Sequence, residues 1–394
     1  MASIVIHHEK VADAGALLVL CPFGALELSG GKLSVNAACK MCRLCVKKGP
    51  PGVFELVETV AAGVDKDAWR GVAVYVDHAD GVVHNVTLEL IGKARELAAQ
   101  IKHPVYCLMA GSDVLAKAKT LLDYGVDEVF VYDDPGLRHF RAEPYAAVFA
   151  DFINHVKPSI VLVGGTPVGR SLAPRVAARF RSGLTADCTS LEVKDNTDLI
   201  QIRPAFGGNI MAKIHTPRHR PQFATARYKI FSAPEKVGNP GGKLTRMPVA
   251  PGLLASGIEV LEVKPKAKEI GIEEAEVIVV AGRGLKKPED LGLLRQLADR
   301  LGGQLAGTRS LIEAGWLDAK RQIGLSGRTV KPKLIIAAGV SGAIQFVAGM
   351  KSSEYIVAIN SDPKAPIFKN AHVGLVGDLY EIVPELLRQL DDKK

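Results

Sequence analysis

The sequence lacks any run of 18 or more uncharged apolar residues, and its first 20 residues hold His7, His8, Glu9 and Lys10 where a secretion signal needs an apolar block. Neither a membrane span nor a signal peptide is expected, and the reading is of a cytoplasmic protein. Cysteine is scarce and unevenly placed. Four of the six lie between positions 21 and 45, unlike the even spread of a disulfide framework. Runs of five like charges are also missing, although 50 Lys and Arg against 42 Asp and Glu leave a formal charge of +8. That balance suits an acidic partner or an anionic cofactor, and no nucleic-acid motif accompanies it. There is no Ser-His-Asp set, zincin motif or Walker loop to argue for hydrolysis or phosphoryl transfer. Internal repeats and low-complexity tracts are absent.

What is present is 394 residues, 47% of them hydrophobic, enough for two or three domains with separate cores. Residues 1–65 read as short strands and turns. From Gly71 short apolar runs (72–76, 105–109, 129–132 and 160–163) alternate with helix-like stretches such as 88–100 and 113–124, the rhythm of a parallel α/β sheet. After Gly183 residues 198–203 and 210–215 alternate polar and apolar, and 233–251 reads as a loop or linker. A second α/β run follows, with strands at 277–281, 334–338 and 355–360 and helices at 288–301, 342–349 and 383–390. The expected plan is three domains, 1–65, 66–265 and 266–394.

Cys39, Cys42 and Cys45 form a C-x2-C-x2-C run, the spacing at which three thiolates wrap one face of an iron-sulfur cube. In two-cluster ferredoxins such a run ends, after three intervening residues, in Cys-Pro, and that cysteine ligates the other cluster. Here Gly49 and Pro50 stand there, while Cys21-Pro22 upstream has the form of the partner run's end. Counting back from Cys21 reaches Leu17, Ala14 and Val11 where three more cysteines would stand. The two losses are complementary, so Cys21, Cys39, Cys42 and Cys45 make one full ligand set for a single [4Fe-4S] cluster, with the three apolar residues filling the vacated site. A zinc site is the alternative, but zinc usually takes a second Cys pair or a His at a distance, and no such pair follows. Lys40, Arg43, Lys47 and Lys48 nearby read either as a dock for an acidic electron carrier or as plain solvated surface. Cys107 and Cys188 read as core residues.

In the C-terminal third, strand 277–281 runs into Gly282-Arg283-Gly284, and two more glycine-polar turns follow at 324–328 and 339–343. Glycines at strand-to-helix turns let backbone N–H groups approach a phosphate. Three such turns at strand ends of one sheet suggest a dinucleotide, and the missing full G-x-G-x-x-G argues against the standard NAD fingerprint.

The stretch from Arg321 to Leu387, with SGRTVKPKLIIAAGVSGAIQFVAGMKSSEYIVAINSDPKAPIF and VGDLYEIVPELL, resembles the FAD-binding domain of electron-transfer flavoprotein α subunits. The resemblance extends back through AGRGL at 281–285, GTRSLIEAGW at 307–316, PQFATARY at 221–228, RPAFGGN at 203–209 and GLTADCTSLEV at 183–193. The start of the chain resembles the ferredoxin-like extension on some α subunits from anaerobes. The implied fold class is α/β: an N-terminal ferredoxin-like iron-sulfur domain, then two Rossmann-like parallel α/β domains, the first pairing with a β subunit and the second binding FAD.

Residue by residue, the resemblance implies that Arg283 and Gly284 meet the FAD diphosphate region. Thr308 and Arg309 would lie near the isoalloxazine ring, Arg309 favouring an anionic flavin. Ser326 would face flavin N5 within the turn Ile323, Gly324, Leu325, Ser326 and Gly327. Ser341, Gly342, Ala343, Ile344 and Gln345 would supply contacts at a helix N-terminus, and Asn360, Asp378 and Leu379 would hold the ribose and adenine end. Phe346 stands where the family often has a His that reaches the pyrimidine side of the flavin, and a Phe cannot donate that hydrogen bond. The implied partners are a β subunit with its own flavin and an NAD(H) site, ferredoxin, and a flavin-dependent dehydrogenase, for lactate rather than acyl-CoA, in electron bifurcation or confurcation. The chain then has no substrate site of its own. The competing reading is a structural or regulatory AMP-binding module with a vestigial cysteine cluster.

Overall fold

The computed structural model describes residues 2–58, 64–208, 210–264 and 271–392. The chain divides into two compact units, one ending at Val64 and one beginning at Asp65. The expected boundary at 265/266 and Asn209 of the RPAFGGN motif lie outside the described residues.

In the N-terminal unit, strand Ala2–Ile6 pairs antiparallel with Phe54–Glu58, and Leu26–Ser29 forms a hairpin with Lys32–Val35. Gly30 and Gly31 turn that hairpin with φ of 57° and 78°, the positive pair a tight two-residue turn demands. Its core is Leu17, Leu26, Leu33, Val53 and Phe54, with Val11 and Ala14 packed against it.

In the second unit, seven strands form a parallel sheet. Across it they run Leu184–Thr185, Gln222–Ala226, Ile160–Gly164, Val72–Tyr75, Val105–Gly111, Glu128–Asp133 and Lys243–Arg246. Helices Asn85–Ile101, Ala142–Val156 and Pro167–Arg179 cover it. The central strands are apolar on both faces, as two-sided burial requires: Val72 and Val74 enter one core, Ala73 and Tyr75 the other. The first and fourth of these strands in chain order, Val72–Tyr75 and Ile160–Gly164, are neighbours, so the order of connection reverses between them. Strands Ser190–Val193, Leu199–Ala205 and Ile210–His215 form a separate antiparallel sheet. The alternating segments 198–203 and 210–215 belong to it.

The segment 233–251, read as a loop, contains the edge strand Lys243–Arg246, parallel to Glu128–Asp133. Its sequence KLTR has no apolar run, because an edge strand is half solvated and tolerates Lys and Arg.

The second sheet has five parallel strands in the order Gln304–Gly307, Val277–Ala281, Leu334–Ala338, Tyr355–Asn360 and Val373–Val376. In chain order this is 2-1-3-4-5, a doubly wound arrangement whose switch point lies between the first and third strands. Helices Leu291–Arg300 and Leu379–Asp391 pack on one face, where Leu294, Leu297 and Val383 are fully buried. The predicted helix at 342–349 shrinks to Ile344–Val347. Among the described residues no helix is long and apolar enough to cross a membrane.

Candidate functional site

A cavity of about 880 Å³ opens above the carboxyl ends of the five-stranded sheet. It sits at the switch point, where the connections on either side of the sheet diverge and leave a crevice, and its size suits an organic cofactor. Its floor is two glycine turns that touch. Gly282 N–H donates to the Ala338 carbonyl at 3.0 Å and Gly284 N–H to the Gly339 carbonyl at 2.9 Å. A methyl on Gly284 would stand 2.6 Å from the Gly339 Cα, so only bare backbone lets the turns meet.

The geometry alters the sequence reading of these turns. The N–H groups of Gly282 and Gly284 are consumed by the neighbouring turn, and the α-helix after the first turn begins only at Leu291, behind a single 3-10 turn at Pro288–Asp290. The glycines serve close packing instead of presenting N–H groups from a helix end. The turn at 324–328 is not at the end of a sheet strand: it is a small loop closed by a bridge between Ile323 and Arg328. The long helix whose start does reach the cavity is Leu379–Asp391, capped by Asp378, which accepts from Tyr380 N–H at 2.9 Å.

Most of the residues singled out from the sequence come together here. Arg283, Gly284, Thr308 and Arg309 line one side of the cavity. Ile323, Gly324, Leu325 and Ser326 line another, with Ser341, Ala343, Gln345 and Phe346 beside them. Asn360, Asp378 and Leu379 line it as well, Leu379 lying against Gly284 and Gly339. Gly327, Gly342 and Ile344 are not part of the wall. Gly342 is buried beneath it with φ of 87°.

Several side chains have local partners. Arg309 Nε donates to Glu313 Oε1 at 2.7 Å across one helical turn, an exposed pair that is easily exchanged for a ligand contact. Asn360 Nδ2 donates to the Val340 carbonyl at 2.9 Å. Phe346 is buried and adds an apolar side chain to the cavity wall. Lys286, Ser310, Gln322 and Ser361 also line the wall and were not singled out in the sequence. Gln322 is buried, and its Nε2 donates to Ser326 Oγ at 2.7 Å.

In the N-terminal unit, Cys21, Cys39, Cys42 and Cys45 all line one small apolar pocket together with Ile4, Phe23 and Leu44. With these rotamers the space between them is about 20 Å³, room for a single water. Among the described residues no group of three His, Cys, Asp or Glu is gathered for a single metal ion. A cube differs from an ion in presenting four irons at separate corners, so its ligands stand apart. The donor set is thiols alone, and backbone N–H groups already point at sulfur: Ala25 to Cys21 Sγ at 3.3 Å and Met41 to Cys39 Sγ at 3.4 Å. Met41 and Arg43 have positive φ of 53° and 64°, the backbone reversals that let three closely spaced cysteines line one pocket. Cys42 is exposed, and Lys40, Arg43, Lys47 and Lys48 around it are exposed or half-exposed. Cys107 and Cys188 are buried in the core of the seven-stranded sheet.

Both family matches fall in the second unit. Residues 72–251 match the family described as the electron transfer flavoprotein domain, and residues 271–351 match the electron transfer flavoprotein FAD-binding domain. The chain is 61% identical to "Lactate dehydrogenase (NAD(+),ferredoxin) subunit LctC" of Acetobacterium woodii, over 99% of this chain and 94% of that one. It is 45% identical to Protein FixB of Clostridium saccharobutylicum, covering 82% of this chain and 96% of the relative. With the electron transfer flavoprotein subunit alpha of Clostridium acetobutylicum it shares 43% identity over 83% of this chain and 98% of the relative.

Proposed function

The chain belongs to the electron-transfer flavoprotein family as an α subunit, and on that premise we propose that it holds one FAD above its five-stranded sheet and one [4Fe-4S] cluster on Cys21, Cys39, Cys42 and Cys45. The observation that carries the FAD assignment is the cavity at the switch point, walled by Arg283, Thr308, Ser326, Ser341 and Asp378, within and just beyond the stretch that matches the FAD-binding family. The cluster rests on the all-thiol donor set at one pocket.

A bound FAD supplies one- and two-electron redox chemistry there, and the chain's own residues bind, orient and insulate it. Arg283 and Lys286 stand at the rim to meet phosphate charge. Arg309, paired with Glu313 here, would supply a cation to negative charge on the ring. Phe346 excludes water from the ring face. In this reading the domains are 1–65 for the cluster, 66–265 for pairing with the β subunit and 266–394 for FAD.

The electrons pass between the NAD(H)-linked flavin of the β subunit, ferredoxin and a flavin-dependent dehydrogenase, in the cytoplasm. Lactate is the preferred dehydrogenase substrate over an acyl-CoA, because the relative that aligns over 99% of the chain bears lactate dehydrogenase in its name. The cations around Cys42 give an acidic carrier a place to dock.

The test is anaerobic purification with flavin and iron assayed on the same sample, for the parent chain and for Cys42→Ala. FAD with about four irons per chain is expected in the parent, and in the variant iron is lost while FAD stays. A colourless protein carrying AMP overturns the FAD reading. Full iron retention in Cys42→Ala, or loss of both cofactors together, overturns the ligand set.

A further inference from the structure

The loop from Ile323 to Gly327 brings Ser326 to the cavity, and two features of the other α/β domain are pressed against it. At the carboxyl end of strand Gln222–Ala226, Arg227 extends its guanidinium toward the loop and donates from Nη1 to the Gly327 carbonyl at 3.1 Å. Its other arm, Nη2, donates to Asp187 Oδ2 at 2.7 Å. The tip of the antiparallel sheet supplies the second contact: a methyl on Gly208 would stand 3.3 Å from Leu325 Cδ1 and 2.9 Å from Ile344 Cγ2.

Asp187 is itself firmly held. Its N–H donates to Thr225 Oγ1 at 3.0 Å, and Arg170 Nη2 lies 3.1 Å from its carboxylate. Burial raises the Asp187 pKa, but the hydrogen bond and charge of Arg227, with Arg170 and Arg203, more than offset it and hold the carboxylate below its usual range. Arg227 Nε is buried with no hydrogen-bond partner among the described residues. A buried unpaired donor is costly, and a simple surface ion pair would not need one. The cost follows from stretching one guanidinium between a carboxylate of one domain and a carbonyl of the other.

The loop has little slack in which to absorb a change. Leu325 N–H donates to the Gln345 carbonyl at 2.8 Å, Arg328 N–H to the Gln322 carbonyl at 2.7 Å, and a methyl on Gly327 would stand 2.3 Å from the Gln322 carbonyl. Fixing the Gly327 carbonyl therefore fixes the peptide beside Ser326.

We infer that Arg227 is a positioning residue for the flavin-facing loop: anchored on Asp187, it clamps the Gly327 carbonyl and so sets how Ser326 meets the cofactor. The inference rests on the FAD reading given above. The Arg fork is what makes it work, because two parallel donors span two acceptors where a single ammonium spans one.

The experiment uses the full chain with Arg227→Met, Arg227→Lys and Asp187→Asn. FAD per chain, the visible circular dichroism of the bound flavin and the ratio of oxidised to reduced flavin at a fixed solution potential are read on each. The expected result is undiminished FAD with an altered dichroism band in Arg227→Met. The ratio should move about tenfold, or ~59 mV for one electron. Arg227→Lys should fail to restore either signal, and Asp187→Asn should shift both in the same direction by less. An unchanged band and ratio in Arg227→Met at full FAD occupancy overturns the inference, as does full restoration by Lys, which would make the effect one of charge alone. If Arg227→Met does not fold, Asp187→Asn decides by the same two signals: a shift in both supports the clamp, and no shift overturns it. If the parent chain holds no FAD, the functional reading fails instead. Hydrogen exchange on the apoprotein then decides the clamp: faster exchange at Leu325 and Gly327 in the variant supports it, and unchanged exchange overturns it.

Discussion

The chain contains two parallel sheets, each with a reversal of strand order and glycines at the carboxyl ends beside it, but their crests differ. In the seven-stranded sheet the reversal lies between Val72–Tyr75 and Ile160–Gly164, and the chain's own side chains fill the space above. Thr166 Oγ1 donates to the Asp77 carboxylate and accepts from Gly169 N–H at 3.0 Å, capping the helix that begins at Pro167. Asp77 N–H in turn donates to Thr87 Oγ1 at 3.0 Å. Val86 closes on Gly164, where an added methyl would stand 2.7 Å from its Cγ1. In the five-stranded sheet, bare glycines and exposed Ser341, Ala343 and Gln345 surround the same place, and it stays open. Topology says where a ligand can sit. The side chains of the next helix decide whether the place is kept for one.

Gly284→Ala attacks the open crest most directly. Its methyl would meet the Gly339 Cα at 2.6 Å, and neither backbone can yield, so the floor must separate at a cost of about 1–3 kcal/mol. We expect FAD affinity to fall about 10- to 100-fold, measured by fluorescence titration of the apoprotein. Gly165→Ala is the matched change on the filled crest. Its methyl lies 3.2 Å from the Ala226 carbonyl, and FAD affinity should be untouched. Equal losses in the two variants would erase the distinction between the crests.

A smaller effect is expected from Thr166→Val, which removes the filling hydroxyl from the closed crest. The helix loses its cap and buried Asp77 loses a donor, so urea stability should drop by about 1–2 kcal/mol with FAD per chain unchanged. Gain of a flavin or nucleotide by this variant would show that one hydroxyl separates the two crests.

Glu89→Gln sharpens the comparison by the least. Burial raises the Glu89 pKa to about 7, against the opposing pull of the Lys229, Phe231 and Ile230 N–H groups and the Lys229 charge. Between about pH 4.3, where an unfolded Glu ionises, and pH 7 the native state keeps a proton that the unfolded chain has lost. Parent stability should therefore fall as pH rises through that window and level off above it. The Gln variant should lose this slope while holding the same FAD, as denaturation at pH 5 and pH 8 would show.

Much of this was legible in the sequence for physical reasons. Strands 277–281 and 334–338 match their apolar runs to the residue, because both faces of a covered parallel strand are dry. Cys39, Cys42 and Cys45 stand out by their spacing and Cys21 by the proline that follows it, and all four line one pocket. Gln322 carried no signal. It reaches the wall because Gly307 bridges to it and Arg328 bridges to Ile323, pairings that no local periodicity encodes. The helix expected at 288–301 is present as a 3-10 turn and the α-helix Leu291–Arg300, but the role read for the Gly282 and Gly284 amides changed. A G-x-G turn reads the same whether its amides face a ligand or the neighbouring turn, and only the contact with Gly339 distinguishes them.

Among the described residues, those lining the large cavity run from Arg283 to Leu379, whereas the four clustered cysteines are complete by Cys45. On the ribosome these two sets are completed more than 300 residues apart. At roughly 5–20 residues per second the gap is about a quarter of a minute to a minute. The thiols are thus made well before the wall of the cavity is complete, and the helix Leu379–Asp391 follows every other part of that wall. On the proposed reading the cluster ligands are complete before the FAD wall, and a nascent chain truncated before Asp378 would carry all four cysteines but only part of the cavity wall.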